Sequence, residues 1–322
     1  MNYITLILGF LITFVLMLVL MPKFITYLKN KNINQIESQY ALQEFKNKDK
    51  TPIMGGLLFV LIPTLVFILI SAKSLNIKVQ LFVMLSYLLF CSVGFIDDYL
   101  VIKSHTNDGL SAKTRLLMEF IYTIILYLLF KDVIPNQVSI PFSDIVIKLP
   151  WFIFLPFMCL LYMAEANAVN FTDGMDGLCA GVSFIGLIAF LILTIKNQYY
   201  SIAIFIVCVM AGLLGYLFFN FHPAKIFMGD SGSLALGALF ASLGILLDKT
   251  IALFFIGGVF VIEMFCVVLQ QISVRLFHKR VFSYTPIHYA FVIKGYKETR
   301  IVLMFYLLEA ILAIIGLIIG LN

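Results

Sequence analysis

Long apolar runs separated by short polar interruptions set the pattern of this chain. At about 20 residues per hydrocarbon crossing, the runs predict helices over 2–22, 52–72, 78–97, 115–131, 149–166, 177–196, 200–221, 232–248, 250–273 and 301–321. Several of these segments are apolar all the way round, as expected where lipid covers one side and other helices the rest. The stretch 132–148 departs from the pattern: Pro135, Asn136, Pro141 and the alternation in Val138-Ser-Ile-Pro predict a short external hairpin or loop. No internal repeat, low-complexity tract or linker divides the sequence, so residues 1–322 are expected to form one domain. The predicted fold class is an all-α polytopic membrane protein of about ten transmembrane helices.

Composition supports that class, since 62% of the residues are hydrophobic, 12% are charged and the mean hydropathy is +1.06. An ordinary soluble domain is excluded. The first run, Tyr3 to Met21, has no basic region before it and no small-residue cleavage site after it, so it is expected to be retained as a span. Cys91, Cys159, Cys179, Cys208 and Cys266 are isolated in apolar segments without metal-ligand spacing and read as small core residues.

Charge orients the bundle. Of the 22 Lys and Arg, sixteen between Lys23 and Arg300 fall in one set of loops, against Lys73, Lys78, Lys131, Lys148, Lys196 and Lys249 in the other. The first set is therefore expected in the cytoplasm and both termini outside. The net charge of +5 follows this topology and implies no nucleic-acid partner.

The same parity gathers four polar stretches at the cytoplasmic edge: Asp97-Asp98, Asn167-Ala-Val-Asn-Phe-Thr-Asp-Gly-Met-Asp-Gly-Leu178, Phe227-Met-Gly-Asp-Ser-Gly-Ser233 and the loop 274–300. A carboxylate inside a bilayer costs about 3 kcal/mol even on lenient scales, so acids beside membrane spans point to use. If the helices pack round one centre, Asp97, Asp98, Asp173, Asp176 and Asp230 converge. Such a cluster repels anions until a divalent cation reverses its sign, at roughly 4 kcal/mol per charge pair about 4 Å apart. Oxygen-only ligands favour Mg²⁺ or Mn²⁺, and Mg²⁺ completes its shell with water and substrate phosphate. The implied substrate is a metal-bridged phosphate or diphosphate.

In the Met228–Ser233 turn, Ser231 or Ser233 is expected to cap the next helix, whose free amides suit a phosphate. The turn lacks the Lys of a nucleotide-triphosphatase loop. At the end of its span, one carboxylate of Asp97-Asp98 could take a proton from an attacking phosphate. Phe227 could stack on a base, though in a chain of 32 phenylalanines a core role competes. His288, after Thr285-Pro-Ile, is as well read as a loop residue, and His105, His222 and His278 as interfacial ones. Glu119, Glu165 and Glu263 lie near cytoplasmic helix ends and are expected to pair with Lys113, Arg115 or Arg275.

Six blocks together resemble the cytoplasmic motifs of the polyprenyl-phosphate sugar-1-phosphate transferases. They are Thr51-Pro-Ile-Met-Gly-Gly56, Gly94-Phe-Ile-Asp-Asp-Tyr-Leu100, Gly109-Leu-Ser-Ala112, Asn167–Leu178, Phe227–Ala235 and Thr285-Pro-Ile-His288. Within that superfamily the chain is most similar to the phospho-N-acetylmuramoyl-pentapeptide-transferase branch. The resemblance implies a multi-pass enzyme of the bacterial cytoplasmic membrane that works in peptidoglycan synthesis, and so in cell-wall biogenesis, cell shape and division. It would move a phospho-sugar from a UDP-linked donor to undecaprenyl phosphate with Mg²⁺ as cofactor, and it suggests a homodimer. Carried over by position, the resemblance gives Asp230 the metal and lets Asp97 and Asp98 position or deprotonate the lipid phosphate. Asn170 and Asp173 would shape the diphosphate site, and Gly174, Met175, Asp176, Asn220 and Phe227 the uridine pocket, with His288 near the phosphates.

Three positions depart from the family pattern. His288-Tyr289-Ala290 stands in place of three histidines, Val101 in place of a lysine with Lys103 two residues on, and Arg115 in place of a second lysine. These departures keep an alternative donor open, UDP-N-acetylglucosamine or a related sugar for teichoic acid or surface glycan. An ion transporter is a remoter alternative, because the acids sit at one edge and do not line mid-span positions.

Overall fold

Apolar runs of this length become helices, because only a helix satisfies its own backbone polar groups in lipid. The computed structural model describes residues 3–34, 51–71, 77–104, 106 and 109–322. His105, Lys46, Lys48, Lys50, Lys73 and the outermost residues of the first two expected spans lie outside them.

The described residues form twelve helices: α1 (Tyr3–Asn30), α2 (Gly56–Ser71), α3 (Ile77–Ser104), α4 (Ala112–Phe130), α5 (Trp151–Thr172), α6 (Leu178–Lys196), α7 (Tyr200–Asn220), α8 (Asp230–Leu246), α9 (Thr250–Ile256), α10 (Gly258–Phe277), α11 (Ile287–Ile293) and α12 (Glu298–Leu321). Nine of the ten expected spans each fall on a single helix. Seven helices, α1, α3, α5, α6, α7, α10 and α12, are long and apolar enough to cross a membrane, and α2 and α8 are shorter apolar ones.

The expected segment 250–273 is not continuous. It breaks at Gly257, the residue between α9 and α10. The first turn of α10 is left with unpaired amides, and Glu309 of α12 accepts the Val259 amide at 3.0 Å.

Two short strands, β1 (Gln137–Ser139) and β2 (Val146–Lys148), pair antiparallel as the expected hairpin. Asp248, in the α8–α9 turn, accepts from Gln137 Nε2 at 2.7 Å and from the Ser139 amide at 3.1 Å. The hairpin is thereby fixed to the far end of α8.

The bundle is built round α8, in which Ser231 to Leu246 are all buried. α3, α5 and α2 pack on it, while α1 and α12 show much apolar surface to the outside. Close helix approach needs small residues. A Cβ at Gly94 would lie 2.1 Å from the Asp230 carbonyl carbon, and one at Gly237 2.4 Å from Ala166 Cα. These two contacts press α3 and α5 onto α8 and carry Asp98 and Asn170 to its N-terminus.

Candidate active site

At the start of α8 three of the expected residues meet. Asp98 is 3% exposed, and its two carboxylate oxygens accept the backbone amides of Asp230 at 3.0 Å and Ser231 at 3.1 Å. The amides of Gly232 and Ser233 go to the Gly229 carbonyl at 3.1 and 3.2 Å. All four leading amides of α8 are thus engaged. That corrects two expectations: neither Ser231 nor Ser233 supplies the cap, and the helix has no free amide for a phosphate. The acid of α3 does the capping, one carboxylate oxygen to each of the first two amides.

Asp230 itself turns outward. Asn170 Nδ2 donates to its Oδ1 at 2.8 Å and to Ser233 Oγ at 2.9 Å, while Arg115 donates to its Oδ2 at 2.9 Å. Each carboxylate oxygen has one such donor and retains a further lone pair. Asp97, half-buried, accepts the Leu110 amide at 2.9 Å. Asp97 and Asp173 both lie near enough to Asp230 to sense its charge. Asp230, with one donor on each carboxylate oxygen, can offer a hard divalent ion one ligand, the rest of the shell coming from water and substrate oxygen.

Asp173 ends α5. Its carboxyl is pushed up to about 7, by desolvation first and then by the charges of Asp230 and Asp176, with a hydrogen bond from the Gly229 amide pulling the other way. A carboxyl held there gains most from an arriving cation.

Beyond Asp173 the loop reaches two further clusters. Asp176, 3% exposed, binds His222 Nδ1 and the Ala224 amide, each at 3.0 Å, and its own amide donates to Glu298 at 2.8 Å. Asn220 accepts the Gly177 amide at 2.9 Å and donates to the Ile226 carbonyl at 2.9 Å. Met175 is buried. Among the described residues, Asp176, His222 and Glu298 are the group whose ligand atoms lie close enough together to hold a metal. Their mutual hydrogen bonds and His222's exposure account for them as a hydrogen-bonded clamp between the loop, the end of α7 and the start of α12.

His288 is fully buried on α11, with Nδ1 2.9 Å from Glu263. Tyr289 donates to the Gly174 carbonyl at 3.0 Å, and burial, helped by Asp173, Tyr284, Glu298 and Glu263, raises its phenol. Phe227 is half-buried on a strap whose backbone bonds the Pro52 carbonyl and the Gly55 amide, both at 2.8 Å.

The structure therefore distributes the expected residues over three adjoining clusters and joins them by the single turn Asp173–Gly177. Glu263 pairs with His288 and not with Arg275, and His222 is part of the clamp and not merely interfacial. Glu298 and Tyr289 carry no local sequence mark of a place in the site. Their partners lie 122 and 115 residues away, beyond any local signal.

The sequence matches the family described as Glycosyl transferase family 4 over residues 80–248. A protein of Halalkalibacterium halodurans named phospho-N-acetylmuramoyl-pentapeptide-transferase is 37% identical over 319 residues, covering 96% of each chain. One of the same name from Staphylococcus aureus is 39% identical over 322 residues, covering 98% of each. One from Bacillus pumilus is 37% identical over 315 residues, covering 97% of this chain and 96% of its own.

Proposed function

This chain belongs to the phospho-N-acetylmuramoyl-pentapeptide-transferase family, and on that premise we propose that it makes the first lipid-linked precursor of peptidoglycan. The donor is UDP-N-acetylmuramoyl-pentapeptide, the acceptor is undecaprenyl phosphate, and the products are the lipid-linked diphosphate and UMP. The enzyme is a multi-pass protein of the bacterial cytoplasmic membrane. Its polar loops face the cytoplasm and both termini lie outside, as the distribution of Lys and Arg supports.

The observation that carries the reading is the Asp173–Gly177 turn, which touches the Asp230 cluster, the Asp176 clamp and the His288 pocket at once. A nucleoside diphosphate sugar calls for such a junction, since its diphosphate joins a uridine on one side to a sugar on the other.

The chemistry is phosphoryl transfer, where positioning and charge neutralisation supply most of the catalysis. An oxygen of the acceptor phosphate attacks the sugar-proximal phosphorus, and a new P–O bond forms. The bond from that phosphorus to the bridging oxygen breaks, and UMP departs with the electron pair. Asp230 would hold Mg²⁺, and the ion would supply charge neutralisation at the diphosphate.

Asn170 and Arg115 keep the Asp230 carboxylate aimed, and the Arg115 guanidinium adds a fixed positive charge beside it. Asp97 receives the acceptor phosphate and takes its proton if it arrives protonated. Asp98 works indirectly, by anchoring the turn that presents Asp230. Asp173 closes the diphosphate site. Gly174, Met175, Asp176, Asn220 and Phe227 form the uridine pocket, with Phe227 against the base, and His288 faces the phosphates.

The test is to offer purified protein the muramoyl-pentapeptide nucleotide and UDP-N-acetylglucosamine separately, with undecaprenyl phosphate and Mg²⁺. UMP release from the first donor, abolished by chelation and by Asp230→Ala, is the expected result. Release from the second donor alone, or full activity of Asp230→Ala, overturns the reading.

A further inference from the structure

Behind His288 sits a carboxylate that no step above employs. Glu263 is fully buried in α10, where an ionisable group persists only with partners. One oxygen accepts the Ile287 amide at 2.6 Å, and the other accepts the His288 amide at 3.3 Å and lies 2.9 Å from His288 Nδ1. The single carboxylate thus caps α11 and grips the imidazole.

On the opposite side of the ring, His288 Nε2 is buried with no hydrogen-bond partner. Buried polar atoms are rarely left so. The position it faces is Gly174, where an added Cβ would lie 2.3 Å from Nε2. Gly174 follows Asp173 in the turn that closes the diphosphate site, so the unpartnered nitrogen is aimed at the region the donor occupies.

We propose that Glu263 is a positioning residue of the transfer reaction: it keeps the proton on His288 Nδ1 and so holds the ring with its bare Nε2 presented to the bound donor. The inference rests on the functional reading given above. A carboxylate behind an imidazole fixes its tautomer and stabilises its charged form, as in a nucleophile–base–acid triad. The groups that face His288 are Glu263 from α10 and Tyr289 from α11, with Gly174 of the α5–α6 turn against Nε2. Tyr284 and Glu298 act on Tyr289 one layer out.

The chain has four histidines, so the tautomer can be read directly from ¹⁵N-histidine spectra of the full-length protein, with His288→Asn as the assignment control. Nδ1 protonated in the wild type is expected; Nδ1 bare overturns the proposal whatever any variant does. In Glu263→Gln the amide still accepts the Ile287 amide but donates to Nδ1. The proton should move to Nε2, and kcat for UMP release should fall by about 10- to 100-fold with the donor KM changed less than about threefold. Combined with His288→Asn, Glu263→Gln should add no further loss.

Activity of Glu263→Gln within about threefold of wild type, or losses that multiply in the double variant, contradicts the proposal. If the wild type releases no UMP from the muramoyl donor, the functional reading fails instead, and the tautomer result stands apart from it.

Discussion

Replacing Asp98 by Asn separates an acid that anchors the site from one that acts in it. Asp98 is 3% exposed and accepts the Asp230 and Ser231 amides at 3.0 and 3.1 Å. Asn keeps one acceptor and turns an NH₂ group toward the other amide, leaving two buried donors face to face. At about 1–3 kcal/mol for each unsatisfied buried group, the two donors cost roughly 2–6 kcal/mol. There is little room to relax, since a Cβ at Gly229 would lie only 2.7 Å from Asp98 Oδ2.

For a large domain this corresponds to a fall in Tm of roughly 5–15 °C. Asp97→Asn is the matched control, because Asp97 is half-buried and the oxygen that accepts the Leu110 amide at 2.9 Å can be kept. Its Tm should move by less than about 2 °C, while UMP release is lost in both variants. Thermal unfolding in one detergent, without metal, provides the comparison. An Asp98→Asn protein that melts with the wild type refutes the anchoring role.

Other perturbations have defined signs. Arg115→Met removes the cation from Asp230 and should lower metal-free stability by about 1 kcal/mol, the pair being partly exposed. Added Mg²⁺ should then raise Tm more in the variant than in the wild type, as read in a titration. With its carboxyl raised from 3.8 to about 7, Asp173 costs almost nothing below about pH 3, where folded and unfolded forms are both protonated. The cost grows as pH rises toward 7 and is constant above it. Asp173→Asn should accordingly match the wild type at about pH 3 and exceed its stability by up to about 4 kcal/mol above about pH 7, as denaturant titrations in chelator would report. Gly174→Ala places a methyl 2.3 Å from His288 Nε2 and should cut kcat by at least about tenfold with a Tm change smaller than that of Asp98→Asn.

Much of the architecture was legible because the bilayer imposes it. Runs of about 20 apolar residues must be helices, and the turn residues around Val138-Ser-Ile-Pro141 marked the hairpin correctly. Parity alone brought Asp98, Asn170 and Asp230 to one end of the bundle, where the structure joins them. The break at Gly257 was visible as a glycine pair, Gly257-Gly258, inside an apolar run. Its stabilising partner, Glu309, lies 50 residues from the amide it caps, so the run read as continuous.

The same reason hid the cap of α8. Ser231 and Ser233 offered a local solution in the sequence, whereas the acid that provides it is 132 residues away from the Asp230 amide. Long-range pairing also hid the roles of Glu263 and His222. Hydrophobic pattern specifies which segments cross and which loops share an end; it does not specify which side chains then meet.

The central claim is that the sugar-proximal phosphate moves from nucleotide to lipid. It is tested most directly with UDP-N-acetylmuramoyl-pentapeptide labelled with ³²P at that phosphate alone, incubated with the protein, undecaprenyl phosphate and Mg²⁺. The account predicts that the label enters the butanol-soluble lipid diphosphate in proportion to the UMP released, and that the UMP itself is unlabelled. Label that remains with the nucleotide, or appears as inorganic phosphate while UMP accumulates, contradicts it.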